Sequence, residues 1–351
     1  MIIDANVYWF PEQIFEDDTL LEQFLSEIPT IPNTAGYVKE NGDKKQIVIE
    51  RPIGFAGVDY LQGEYTLEGH LSALKEAGVD QAVMKVPCCH EWLSLDMCRL
   101  FNDGMADYAK RSGGVLHALA VIPPWGTAQS LAELDRCYAL GMRGVQLCAH
   151  YRDLYLDDAA FAPLFEKLNE LHMTAYIHHT PVPVEFDAVK DYNNLRRSYG
   201  RCCDQMIAVS RELFSGMFTR YPNVRVVHSM LGGGFHTYAN MMLPPKPQMT
   251  DTAARFSQTT DEISTHMQRN IFFEMSHAQP WGKDQLECAI KTLGADHIIY
   301  GSSYPVRREW LMGGTAFVQN LDITEEEKAL ILGGNAQRLY VMLHEKEIAH
   351  V

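Results

Sequence analysis

Side chains able to move protons or bind anions stand just past short apolar runs of this chain. They are Asn6 and Tyr8, Lys85, His150 with Tyr151, His178 with His179, His228, Glu274 with His277, and Ser303 with Arg307 and Arg308. Imidazole exchanges a proton near neutral pH, so His178 and His228 read as general acid or base residues. Glu274 and His277 extend that catalytic set, because a carboxylate close to an imidazole sets its tautomer and raises its basicity. Asn6, Tyr8, Lys85, His150, Ser303 and Arg307 read as substrate-binding groups. A guanidinium at Arg307 matches a carboxylate in bidentate fashion. Lys85, inside the apolar run Val83-Met84-Lys85, either reaches the rim of the fold through its alkyl stem or meets an anionic substrate. The competing readings are a satisfied core histidine at 178 or 228, a surface loop pair at 274 and 277, and paired surface arginines at 307 and 308.

Such residues act together only if a scaffold brings distant strand ends to one place. Apolar strand cores are expected at 2–7, 81–86, 115–122, 144–148, 174–177, 224–227, 271–274 and 298–300. Amphipathic helices are expected at 66–77, 95–110, 128–140, 159–171, 204–221, roughly 252–268 and 283–293. This alternation predicts an α/β fold, a closed (β/α)8 TIM-like barrel whose active site lies at the C-terminal ends of the strands. Segment 11–63, with Pro29, Pro32 and Pro52 and the extended run Gln46-Ile47-Val48-Ile49-Glu50, is too long for an ordinary connection. It predicts a lid or subdomain inserted after the first strand of one domain spanning 1–351. Helices near 324–332 and 336–344 cap the barrel, and Gly232 to Gly234 form a tight turn rather than a phosphate loop.

Of the 351 residues, 46% are hydrophobic and 21% charged, which suits a globular protein with a large core. A formal charge of −15 disfavours nucleic acid and anionic membranes, both polyanions, and leaves small molecules as the expected partners. No apolar run approaches the roughly 20 residues needed to cross a bilayer, and the N-terminus opens on a strand pattern, so cytoplasmic residence is expected. The eight cysteines lack CxxC spacing and read as reduced thiols.

Several segments carry a family resemblance: Ile3-Asp4-Ala5, Tyr176-Ile177-His178, Ser215-Gly216-Met217-Phe218 with Tyr221-Pro222, Gly232-Gly233-Gly234-Phe235, Gly301-Ser302-Ser303-Tyr304-Pro305, and Gly334-Asn335-Ala336-Gln337-Arg338-Leu339-Tyr340. In this order and spacing they resemble the amidohydrolase-related family, in the branch that holds γ-resorcylate decarboxylase and aminocarboxymuconate-semialdehyde decarboxylase. The resemblance runs over nearly the whole chain. It implies a barrel, a homo-oligomer and a divalent metal held by histidines and an aspartate. Carried over residue by residue, the two first-strand histidines fall on Asn6 and Tyr8, the fifth-strand histidine on His178, and the next-strand histidine on Met230, two residues past His228. The eighth-strand aspartate falls on Ser303.

An amide, a phenol and a hydroxyl are poor zinc ligands, so no catalytic metal and no other cofactor is expected. The expected function is hydrolysis or carbon–carbon lyase, decarboxylase-like chemistry on a small aromatic or carboxylated compound, carried by side chains alone. One alternative keeps zinc or manganese through a rewired set drawn from His178, His179, His228, His277 and Glu274. Another is a catalytically inactive binding homologue.

Overall fold

The apolar runs pair side by side, in chain order, as eight parallel strands that close into a barrel. The computed structural model describes residues 1–180, 183–185, 187–189, 192–242 and 259–341. The strands are Ile3–Tyr8, Gln81–Lys85, Leu116–Ala118 continuing as Ala120–Val121, Gly144–Cys148, Thr174–His178, Arg225–His228, Ile271–Glu274 and Ile298–Ile299. The third strand breaks at Leu119, whose N–H donates to the Met84 carbonyl at 3.0 Å, and so joins the second strand to the fourth. Closure comes from the Ala5 N–H donating to the Tyr300 carbonyl at 2.9 Å and the Tyr8 N–H to the Tyr304 carbonyl at 2.7 Å.

Side chains alternate along each strand, and Ile3, Ala5, Val83, Tyr176, Val227, Phe272 and Ile299 fill the barrel interior, with Leu339 and Tyr340 packed against them. The first strand departs from strict alternation: its register with the second shifts between Asp4 and Val7. That irregularity turns Asn6 and Tyr8 inward and leaves Val7 in the outer core.

Several of the outer helices start on a hydroxyl cap. Thr66, Ser94 and Thr127 each accept a backbone N–H at the heads of Leu67–Glu76, Leu95–Arg111 and Ala128–Ala139. The stretch expected at 204–221 differs: the helix begins at Arg201, stops at Phe214, and Gly216 at φ 75° turns the chain into the short helix Met217–Arg220. Helix Arg308–Gln319 has no counterpart in the sequence reading, because Gly313-Gly314 weakens its pattern. Gly314 nonetheless lets the helix rest on the Tyr300 ring, where a Cβ would collide. The helix expected at 252–268 is described as Thr260–Asn270, and 252–258 lies outside the described residues. Glu325–Ala329 and Asn335–Tyr340 cap the barrel, while 342–344 of the last expected helix also lies outside.

After the first strand comes helix Asp18–Glu27 and an antiparallel sheet of Ala35–Asn41, Lys44–Glu50 and Ala56–Leu61. Its Tyr60 stacks on Phe10 with ring centres 4.4 Å apart and donates its hydroxyl to the Pro87 carbonyl at 2.6 Å. Arg51 grips Glu91 through two bonds of 2.5 and 3.0 Å. All eight cysteines are free. No helix among the described residues is long and apolar enough to cross a membrane.

The chain leaves the sixth strand through a left-handed run from Met230 to Gly234. Gly233, at φ 71°, lies so close to the Cys202 carbonyl that a Cβ would overlap it. Gly233→Ala should therefore lower unfolding free energy in urea by about 3 kcal/mol, combining left-handed strain with a clash. Gly78→Ala, at φ 68° in open space, should cost only about 1 kcal/mol. Equal losses would show that the Cys202 contact is unimportant.

Candidate active site

Five strand-end residues meet at the upper end of the barrel interior. Asn6 and Tyr8 come from the first strand, His178 from the fifth, Glu274 from the seventh, and Ser303, at φ 61°, from the loop after the eighth. Asn6 Nδ2 donates to Glu274 Oε2 at 3.2 Å and to Ser303 Oγ at 3.0 Å. The Ser303 hydroxyl lies near Tyr8, and the Tyr8 hydroxyl lies 3.1 Å from His178 Nε2. His178 Nδ1 lies 2.8 Å from the His179 carbonyl, which can only accept, so Nδ1 carries the ring proton. Nε2 is then the acceptor for Tyr8. Hydrogen bonds thus join Glu274, Asn6 and Ser303 on one side and Tyr8 and His178 on the other.

Glu274 is fully buried and also accepts from the Tyr176 hydroxyl at 3.2 Å, the Ser276 N–H at 2.6 Å and the Ser276 hydroxyl at 3.1 Å. Burial pushes its pKa up to about 7, against the opposing pull of Lys85. Lys85, expected either at the rim or against an anionic substrate, is instead sealed inside the barrel. Its Nζ donates to the Ala5 carbonyl at 2.7 Å and sits 3.3 Å above the Tyr176 ring centre. Burial brings its pKa down to about 7, with Glu274 favouring the charged form. The two groups therefore titrate as a coupled pair.

Desolvation keeps the neighbouring groups neutral. It lowers His178 and His277 to about 3, lowers His179 and His90 well below the usual imidazole range, and raises Tyr8 far above the usual phenol range. The Cys88 thiol, 3.7 Å from His178 Nε2, is pushed up to about 11. At neutral pH His178 can accept a hydrogen bond but has no second proton to give.

Above this neutral floor lies a cavity of about 640 Å³, including its open mouth. Ile49, Arg51, Gly57 and Val58 of the inserted sheet form one wall, and Arg196, Arg197 and Arg201 approach from the stretch that enters helix Arg201–Phe214. Arg51 is answered by Glu91. Arg197 donates to the Gly57 carbonyl at 3.3 Å and Arg196 to Asn193 at 2.7 Å. Arg201 Nε is buried with no hydrogen-bond partner among the described residues. A second, larger lobe, with His150, Tyr151, Arg152 and Trp125, shares Arg51, His90, Glu91, Trp92 and Arg196 with the first.

The structure brings together Asn6, Tyr8, His178, Glu274 and Ser303, with Lys85 beneath them and His150 in the adjoining lobe. It separates the others. His228, expected as a catalytic group, points out of the barrel because Val227 takes the interior position; its Nδ1 meets Gln205 at 3.0 Å and its Nε2 meets Glu212 at 2.8 Å. His277 is linked to Glu274 only through Ser276 and packs edge-on against His179 and Trp310. Arg307 is exposed and paired with Glu309 at 3.6 Å, away from the cavity. The sequence reading missed His90, Asp204 and Arg201. The spacing of Arg196, Arg197 and Arg201 was the available signal, hidden by placing the helix start at Asp204.

Among the described residues no three His, Cys, Asp or Glu side chains gather where they could hold a metal ion. At the centre, one imidazole and one carboxylate are separated by an amide, a hydroxyl and a phenol that are engaged in hydrogen bonds with them or with one another. An ammonium lies below. This donor set does not fit a divalent cation, which needs several anionic or imidazole ligands facing one point.

The amidohydrolase family profile matches residues 90–341. A 2-amino-3-carboxymuconate-6-semialdehyde decarboxylase from Dictyostelium discoideum is 25% identical over 244 residues, 69% of this chain and 66% of that relative. The chain spans 66% and 64% of the length of the curated relatives it matches. The 5-carboxyvanillate decarboxylase LigW from Sphingomonas paucimobilis superposes with a TM-score of 0.72 at 20% identity, covering 97% of this chain and 99% of that one. A dihydroxybenzoic acid decarboxylase from Polaromonas sp. JS666, solved with bound manganese and 2-nitroresorcinol, superposes with a TM-score of 0.67 at 17% identity, covering 96% of each chain.

The buried neutral histidines make stability depend on pH. Unfolded, His178 takes up a proton below its ordinary 6.5; folded, it does so only near 3. The unfolded state then binds more protons, so stability falls as pH drops from 6.5 toward 3, by about 2 kcal/mol at pH 5 from this residue. Glu274, whose folded pKa is raised, acts in the opposite sense between about 7 and 4.5. Urea unfolding at pH 7 and pH 5 should show His178→Asn losing about 2 kcal/mol less than wild type. Equal losses would contradict the assigned state of His178.

Proposed function

Because the chain belongs to the amidohydrolase family, we propose that it is a carbon–carbon lyase of the decarboxylase type, acting on a small carboxylated aromatic compound without a catalytic divalent ion. The observation that carries this reading is Arg201: a half-buried guanidinium whose buried Nε has no partner among the described residues, on the cavity that His178 and Cys88 floor. A cation left in that position is costly unless an anion answers it. A substrate carboxylate is planar and matches the guanidinium fork.

The cavity also supplies what such a reaction needs. Breaking a carbon–carboxylate bond releases neutral carbon dioxide, so a site that strips water from the carboxylate while holding it favours departure. The lower half offers fixed donors and acceptors in place of a metal: the Tyr8–His178 pair and the buried groups of Glu274 and Lys85. The names of the relatives, decarboxylases among them, support the same class.

The test uses purified protein treated with EDTA and offered 5-carboxyvanillate and dihydroxybenzoates, with carbon dioxide release as the readout. Activity should survive the chelator, and Arg201→Ala should raise KM about 30-fold or more. Complete loss on chelation, restored by zinc or manganese, would refute the metal-free reading. An unchanged KM would remove Arg201 as the carboxylate anchor.

A further inference from the structure

His150 differs from the histidines on the cavity floor. It lies two residues past the fourth strand, in the short strand His150–Tyr151 that pairs with Leu154–Tyr155, and it lines the larger lobe. Its Nδ1 is 2.8 Å from Asp204 Oδ1 and 3.2 Å from Thr180 Oγ1. Asp204, fully buried in the first turn of helix Arg201–Phe214, also accepts from the Tyr155 hydroxyl at 3.1 Å, the Thr180 N–H at 3.0 Å and the Thr180 hydroxyl at 2.7 Å. Thr180 gives its hydroxyl proton to Asp204, so both atoms facing His150 Nδ1 are acceptors and Nδ1 must carry the proton. Nε2 has no hydrogen-bond partner among the described residues.

A carboxylate on Nδ1–H fixes the tautomer and the ring plane, and offsets the charge that forms when Nε2 takes a proton. No other histidine of the cavity has this arrangement. His178 spends both nitrogens on Tyr8 and a backbone carbonyl, and His90 buries its Nε2. We propose that His150, oriented by Asp204, is the residue that transfers the proton in this enzyme's reaction, with Asp204 as its positioning residue.

The step rests on the decarboxylase-type reading above. The bond between the substrate carbon and its carboxylate breaks, and carbon dioxide leaves. The electron pair stays on the carbon and takes the proton from Nε2 of doubly protonated His150. The ring, neutral again and still bonded to Asp204, regains a proton from water at the open mouth. The other charged groups lining the lobe are Arg51, Arg152, Arg196, Glu91, Asp153 and Glu185.

The test combines kinetics with ring-nitrogen NMR on full-length protein labelled with 15N-histidine, the His150 signals being those lost in His150→Gln. In wild type that ring should be Nδ1-protonated, with Nε2 exchanging with solvent, and Asp204→Asn should shift it toward the other tautomer. With 5-carboxyvanillate or a dihydroxybenzoate as substrate, His150→Gln should lower kcat about 100-fold with KM changed by less than about threefold, and leave the urea midpoint in place. Asp204→Asn should lower kcat in the same way; if it does not fold, His150→Gln and the wild-type spectrum decide. An unchanged kcat in His150→Gln, or a neutral ring that carries its proton on Nε2 and not on Nδ1 in wild type, would overturn the proposal. If wild type turns over none of these compounds, the decarboxylase reading fails, and the tautomer alone upholds or overturns the Asp204–His150 pair.

Discussion

Glu274 places a carboxylate where no water reaches, and the upper barrel is arranged around answering it. Moving such a charge out of water costs several kcal/mol even after relaxation, so each lone pair must find a donor. Asn6, Tyr176 and both the amide and hydroxyl of Ser276 supply them, and Lys85 supplies opposite charge from below. Gly301 keeps the space clear, since a Cβ there would meet the carboxylate and Asn6 at once. The requirement explains why an amide suits position 6. Its two N–H groups reach Glu274 and Ser303 together, a double donation that an imidazole cannot make from one nitrogen.

From this anchor the site divides by charge. The floor is neutral because burial denies its imidazoles, phenol and thiol their charged forms. The walls are cationic, with four arginines against one glutamate in the inner lobe. An anionic ligand drawn to the guanidinium groups is thereby set against a surface that interacts through hydrogen bonds and dipoles. Low dielectric strengthens those contacts, and a site already folded into place needs no rearrangement to make them.

The barrel was legible because its evidence is periodic: buried strands are short apolar runs, and the helices between them carry an apolar face at helical spacing. Asn6, Tyr8, His178 and Ser303 were legible as a group for the same reason, being fixed by position at strand ends. What escaped depends on information a linear pattern does not hold. Two-residue alternation from Met230 suggested that His228 faces inward, but the loop beyond the strand is left-handed, so Met230 carries no register information. Lys85 follows the pattern of a rim residue, and only the stacked Tyr176 ring and the Ala5 carbonyl show that an ammonium is tolerated inside. Arg201 and Asp204 were hidden by a helix that begins three residues earlier than its apolar face suggests.

The inserted sheet gives the cavity Ile49, Arg51, Gly57 and Val58, yet supplies none of the group formed by Glu274, Asn6, Ser303, Tyr8 and His178. Cavity wall and cavity floor thus come from separate stretches of chain, which meet where Tyr60 stacks on Phe10 and bonds to Pro87, where Arg51 meets Glu91 and where Arg197 meets Gly57. Descendants of this protein could exchange that sheet for another and admit a different guest, while the machinery beneath continued unaltered.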